Sequence, residues 1–210
     1  MKIWLVACAK GGVGKTTLAT QLVAATAADG HACALVDADP QQSATRWAMR
    51  RAALGAAPLA WVDGTRKGWR KALPDATRRV VVDTPAGADR DTLEGFLDEA
   101  DALLVPVQPS ALDLEAAARF LQDVARHPRI RKGKLRVGLV GNRLRPHTLA
   151  SQQALEQLQA WPFPLVAQLR DSQAYVVLTG LGRSLFDYHS AQVREHQADW
   201  APLQRWLQAA

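Results

Sequence analysis

The chain has 210 residues, 48% of them hydrophobic, with two cysteines and a formal net charge of +6. That length suits one α/β domain with a full core, and Cys8 and Cys33 provide no disulfide framework, which points to a reduced, cytoplasmic setting. Neither a signal peptide nor a membrane span is expected: the apolar start ends at Cys8 before a glycine-rich loop, and no apolar run approaches about 20 residues.

In chain order, Lys2–Cys8 is a short apolar run with β-branched and aromatic members, suited to a strand buried on both faces. Leu18, Leu22, Val23 and Ala25–Ala28 then recur at helical spacing as far as Gly30, a stop signal. Between them stands Lys10-Gly11-Gly12-Val13-Gly14-Lys15-Thr16-Thr17. Its glycines free the backbone, so that successive N–H groups and the helix N-terminus can surround phosphate oxygens. In such a loop Lys15 lies against the β- and γ-phosphates, and Thr16 places its hydroxyl on Mg²⁺. The frame Gly-x-x-x-x-Gly-Lys-Thr is met only loosely from Ala9. Its first glycine is missing, and Lys10 stands at the front edge.

Ala34–Gln41 reads as an apolar strand ending in Asp37 and Asp39, which period-two spacing aims the same way at the carboxyl end, where open sheets bind ligands. Strand-end aspartates also commonly cap the following helix. Residues 51–78 are punctuated by Gly55, Pro58, Gly64, Gly68 and Pro74, with one strand expected at 59–62. Arg79–Gly87 is again an apolar strand ending in an aspartate, and Asp83 alone reads as a metal ligand or as a cap. Ala102–Gln108 and Lys134–Arg143 give two further strands. Asn142, at the end of the second, suits either a purine edge, to which its amide can donate and accept, or a turn. A strand at 164–169 and a helix from about Ser190 to Ala209 complete the chain, with Trp200, Leu203, Trp206 and Leu207 as core at helical spacing. The alternation predicts a single α/β domain over residues 1–210, a mostly parallel twisted sheet with helices on both faces.

Together Lys10–Thr17, Asp37–Gln41 and Asp83–Gly87 resemble the motifs of the ParA/MinD superfamily of deviant Walker A P-loop ATPases, closest to short ParA-type partition ATPases without an N-terminal helix-turn-helix. The resemblance covers nearly the whole chain and implies ATP and Mg²⁺ as cofactors. It implies that Lys10 reaches across a dimer interface to the nucleotide of the other subunit, as an arginine finger does, and that Asp39 positions the attacking water. With Lys15 these form the expected catalytic set. Asp83 is expected to hold Mg²⁺ beside Thr16 through water, with Asp37 near the metal and Gly87 near the γ-phosphate. Lys10–Thr17 bind the nucleotide. Asn142 and Arg143 contact adenine, since the guanine-selective Asn-Lys-x-Asp string is absent. Pro109–Asp113 leads from strand to dimer interface, and Gln168–Asp187 lines the nucleotide and dimer region, with Arg170 and Arg183 as candidate dimer or DNA contacts. Membrane-recruited relatives end in a basic amphipathic helix, whereas Val193–Ala210 carries balanced charge, so no membrane partner is expected.

Charge is uneven. Arg119–Pro146 holds nine basic residues against Asp123, a local charge of +8. Such clustering is the footprint of phosphate-backbone binding, or else a solvated basic loop. Candidate DNA contacts are Arg126, Arg129, Arg131, Lys132, Lys134, Arg145 and Arg183, with a second cluster at Arg66, Lys67, Arg70, Lys71, Arg78 and Arg79. The expectation is an ATP-dependent homodimer that binds nonspecific DNA, sits on the nucleoid and positions a plasmid, chromosome or protein cargo. A small ParB-like adaptor would stimulate its slow hydrolysis. The alternatives are a DNA-independent scaffold or a metabolic P-loop enzyme of the same superfamily.

Overall fold

The computed structural model describes residues 1–209. Seven parallel strands form one sheet in the order β3-β2-β4-β1-β5-β6-β7. They are β1 (Lys2–Val6), β2 (Cys33–Asp37), β3 (Ala60–Asp63), β4 (Arg79–Asp83), β5 (Ala102–Val107), β6 (Arg136–Leu144) and β7 (Leu165–Arg170). Each expected strand is present. A parallel ladder needs crossovers, and the helices that make them cover both faces. This accounts for the near-continuous apolar strands. β5 is buried at all six positions.

Alternation along each strand divides the core. Ile3, Leu5 and Ala7 face one layer with Val80, Leu103 and Val105, where α3 (Arg90–Leu97), α4 (Ala111–Val124) and α6 (Leu149–Ala160) pack. Trp4 and Val6 face the other, built with α1 (Lys15–Ala28), α2 (Ser43–Ala53) and the C-terminal helices. The remaining helices are α5 (Pro128–Arg131), α7 (Gln173–Gly180), α8 (Ala191–Ala198) and α9 (Ala201–Gln208).

The last two correct one expectation, since the single terminal helix is two. Pro202 lies in the first turn of α9, the one place where a residue without N–H fits a helix, so the chain breaks at Asp199 and Trp200. Trp200, Leu203 and Leu207 are core as expected, whereas Trp206 is half-buried and lies 4.1 Å from the Arg136 guanidinium across its ring. β6 also runs past its expected end. An irregular register between Gly141 and Leu144, with Arg143 at φ 53°, turns this strand end toward the phosphate loop.

Candidate nucleotide site

The carboxyl ends of β1, β2, β4, β5 and β6 converge on one edge of the sheet. β1 is central, and the loop after it enters α1 through Gly14, whose φ of 95° only glycine adopts readily. A Cβ at Gly14 would stand 2.4 Å from Asn142 Nδ2, so glycine is required twice over. Two amide side chains pin the loop from neighbouring strand ends. Gln108 Nε2 donates to the Gly12 carbonyl at 2.7 Å, and Asn142 Nδ2 donates to the Val13 carbonyl at 2.7 Å. With these carbonyls turned away, the loop keeps its N–H groups for an anion.

Lys15 is buried in the loop, its ammonium donating to the Lys10 carbonyl at 3.1 Å. Burial lowers its pKa from the usual lysine value, opposed by Cys8, Asp83 and Asp39. Lys10 lies outside this cradle. Its ammonium pairs with Asp113 Oδ1 on the first turn of α4 at 2.8 Å, with the lysine side chain 37% exposed and the aspartate 8%.

Asp83 is fully buried and neither carboxylate oxygen has a hydrogen-bond partner. Burial pushes its pKa up to about 7, outweighing the pull of the neighbouring Thr16 hydroxyl and Lys15. An orphaned carboxylate beside a threonine hydroxyl is a hard oxygen donor set that fits Mg²⁺, a cation content with few protein ligands. Asp37, expected near the metal, lies close enough to Asp83 to raise its pKa, and it also fastens the start of α2, its Oδ1 accepting from Asp39 N at 3.1 Å and its Oδ2 from Thr45 N at 2.7 Å. Asp39 is half-buried, accepts from Gln41 N at 2.9 Å, and lies near enough to Lys15 and Asp83 to bias both.

Beside the loop, a cavity of about 810 Å³ is lined by Gly14, Thr17, Asn142, Arg143 and Tyr175. Tyr175 accepts from Trp200 Nε1 at 2.9 Å, and burial pushes its phenol up to about 12. The structure thus brings Lys10–Thr17, Asp39, Asp83, Asn142 and Arg143 to one site.

The expected DNA contacts are dispersed. Arg129 is corrected: its Nη1 donates to the carbonyls of Leu97, Asp98 and Ala100 at 2.9, 2.8 and 2.6 Å, so its donors close the end of α3. Arg145 pairs with Asp171 at 2.7 Å, Arg183 donates to the Leu54 carbonyl at 2.8 Å, and Arg170 forks onto Asp199 at 2.7 and 2.9 Å. Those three are held by internal partners. Arg126, Arg131, Lys132 and Lys134 are exposed, with Arg126 only loosely paired to Asp123 at 3.7 Å.

Sequence reasoning missed Gln108, the role of Asp113 and a buried staple. Arg51, 2% exposed, forks onto Asp187 with both contacts at 2.6 Å, and Gly182 passes so close that a Cβ there would meet Arg51 N at 2.4 Å. This holds 181–187 against α1 and α2. Only Gly182 carried a signal, as a glycine beside a basic residue in an otherwise apolar run.

A buried loop lysine, a glycine-capped helix start and an orphaned strand-end carboxylate define a P-loop nucleotide-binding protein. The chain belongs to the CbiA family, the CobQ/CobB/MinD/ParA nucleotide binding domain, which matches residues 4–182 and whose ParA and MinD members are nucleotide-binding ATPases. It is 33% identical over 193 residues to the maintenance of carboxysome distribution protein A of Gloeobacter kilaueensis, covering 91% of this chain and 87% of that protein. It is 32% identical over 130 residues to protein ParA of Rhizobium radiobacter, covering 60% and 57%. Its fold is similar to that of Cyanothece McdA in complex with ATP, with a TM-score of 0.70, 17% identity and 97% and 96% of the two chains covered. Among the described residues no helix is long and apolar enough to cross a membrane.

Proposed function

We propose that the protein is an ATP-dependent dimerising switch that binds nonspecific DNA and positions a large cargo, a protein body or a plasmid. The two relatives, one named for carboxysome distribution and one ParA, support that class of cargo. One observation carries the reading. Lys10 stands at the mouth of the phosphate loop, yet points away from the cradle and rests on Asp113 at 2.8 Å. A lysine not committed to its own phosphates is available to those of a second subunit.

ATP enters with its phosphates on the amides of Gly11–Thr16 and Lys15, and with adenine in the cavity beside Asn142. Because Asn142 Nδ2 is spent on Val13, its Oδ1 remains to accept from an amino group, which adenine offers at its N6 and guanine does not at O6. Thr16 and Asp83 hold Mg²⁺, which when bound neutralises phosphate charge. Asp39 orients the water that attacks the γ-phosphorus as the bond to the β-phosphate oxygen breaks. Lys10 of the other subunit meets the charge that develops on the transferring group. Hydrolysis therefore waits on dimerisation, and a small adaptor protein that tightens the interface raises its slow rate. DNA affinity is measured with ATP, with ADP and with no nucleotide. Tighter binding with ATP is expected, and equal affinity in all three refutes the switch.

A further inference from the structure

Two basic clusters stand far apart in the sequence, and the fold brings parts of both to one edge of the sheet. Because the strands are parallel, Lys2, Arg79 and Arg136 open β1, β4 and β6 along the same edge, opposite the carboxyl ends that carry the phosphate loop. Arg131, Lys132 and Lys134 form the turn into β6, and Arg78 leads into β4. Arg129 clamps the first turn onto the α3–β5 connection through the Asp98 and Ala100 carbonyls. Arg70 reaches that same connection through a 3.0 Å ion pair with Glu99, and the exposed Lys71 follows it in the chain.

The acids of this edge are largely spoken for. Asp101 pairs with Lys2 at 3.8 Å, Glu99 with Arg70 and Asp123 loosely with Arg126 at 3.7 Å, while Asp98 contacts His127 Nε2 at 3.3 Å, leaving Asp29 and Asp75. Among the described residues Lys71, Arg78, Arg79, Arg131, Lys132 and Lys134 have no acidic partner. All are exposed except Arg79, which is half-buried with its guanidinium 5.9 Å from the Trp4 ring centre. β4 and β6 are separated by β1 and β5, so the surface is about 15 Å wide at about 4.8 Å per strand. A duplex laid across it presents roughly eight phosphate charges over that length.

We infer that this amino-terminal edge of the sheet is the docking surface for duplex DNA, held through its phosphates without regard to sequence. The inference rests on the DNA-binding reading above and adds the place and the geometry. Lys10 lies at the carboxyl edge, and it reaches a second nucleotide only when two carboxyl edges face each other. The ATP dimer therefore turns its two basic edges outward and grips two duplex segments, whereas a monomer grips one. On DNA long enough to loop back and offer both edges a segment, ATP then controls binding through avidity, with no contact between DNA and nucleotide.

The test compares charge reversals on the full chain, titrated with mixed-sequence duplex over a salt series with and without ATP. Arg131→Glu with Lys132→Glu and Lys134→Glu alters one cluster, and Lys71→Glu with Arg78→Glu alters the other. Arg66→Glu with Lys67→Glu is the control, since Arg66 pairs with Asp63 at the opposite end of β3 at 2.9 Å. Each edge variant is expected to lose at least about tenfold in affinity and about one unit of salt slope per reversed residue. The control is expected to stay within about twofold, and all three to keep their DNA-free ATP turnover. If wild type binds DNA and both edge variants bind as tightly, the edge is overturned while the DNA-binding reading stands. If wild type binds phosphatidylglycerol vesicles but no duplex in any nucleotide state, DNA is overturned as the occupant, and the reading falls with it.

Discussion

Replacing Asp83 by Asn isolates the electrostatics of the metal position. The carboxyl is fully buried, unbonded and pushed from 3.8 up to about 7 by burial. A rise of about three units corresponds to about 4 kcal/mol, at about 1.4 kcal/mol per unit. The sign follows from proton binding. Between pH 4 and pH 7, window edges set by those two values, the folded chain holds a proton that the unfolded chain has released, so stability falls as pH rises and the full cost is present above 7. In chelator and without nucleotide, Asp83→Asn is therefore expected to be more stable than the parent at pH 8, by up to about 4 kcal/mol or roughly 10 °C in melting temperature. The two curves converge toward pH 4. Calorimetry across this range gives the comparison. Magnesium and ATP should then raise the melting temperature of the parent and leave the variant nearly unmoved. An Asn variant that melts below the parent at pH 8, or that follows the same pH curve, refutes the reading of this carboxylate as a cation ligand.

Lys10→Gln is expected to bind ATP within about threefold of wild type while losing partner-stimulated hydrolysis by about a hundredfold or more, the scale of a removed charge-stabilising group. Steady-state turnover against nucleotide binding reads the split, and wild-type turnover refutes action in trans. Asp39→Ala should accumulate ATP-bound dimers, seen by light scattering after gel filtration; monomers alone with ATP contradict the water-positioning role. Gly14→Ala meets both an unfavourable φ and the Asn142 amide at 2.4 Å, so ATP affinity should fall at least about tenfold. An unchanged affinity by calorimetric titration would show that the Asn142 tether yields freely.

Much of the site could be read from the sequence because its signals are local. A strand, a glycine loop and a helix are contiguous, and the apolar runs ending in Asp37, Asp39 and Asp83 each announce a carboxyl edge. Parallel strands then guarantee that such edges coincide. The contacts that were not legible are those that depend on which strands become neighbours. Gln108 follows β5 and Asn142 lies in β6, and neither neighbourhood states that both amides turn onto carbonyls of the β1 loop. Arg129 shows the same limit from the other side. Its charge counted toward a basic run, but the carbonyls that absorb it belong to the end of α3 and the turn that follows, which no local pattern connects to α5. Asp37 and Asp39 are alike in sequence, and only the position of the α2 backbone makes one a fastener and leaves the other toward the loop.

Asp113 gives the most direct test of how the switch is held open. Its carboxylate accepts from the Ser110 hydroxyl and pairs with Lys10, so it joins the start of α4 to the lysine that hydrolysis requires. If Lys10 must leave Asp113 to reach the other subunit, each protomer gives up that pair on dimerising. The lysine is 37% exposed, and solvent screening reduces the pair to about 1 kcal/mol. A dimer gives up two, about 2 kcal/mol, which is roughly thirtyfold in dimer affinity. Asp113→Asn keeps an acceptor for Ser110 and removes the charge. Sedimentation equilibrium with a non-hydrolysable ATP analogue is expected to show that tighter dimer, with the melting temperature of the nucleotide-free chain lower by only about 2–4 °C. A dimer that weakens instead would place Asp113 among the groups that hold Lys10 after closure, and the resting contact would then be part of the interface itself.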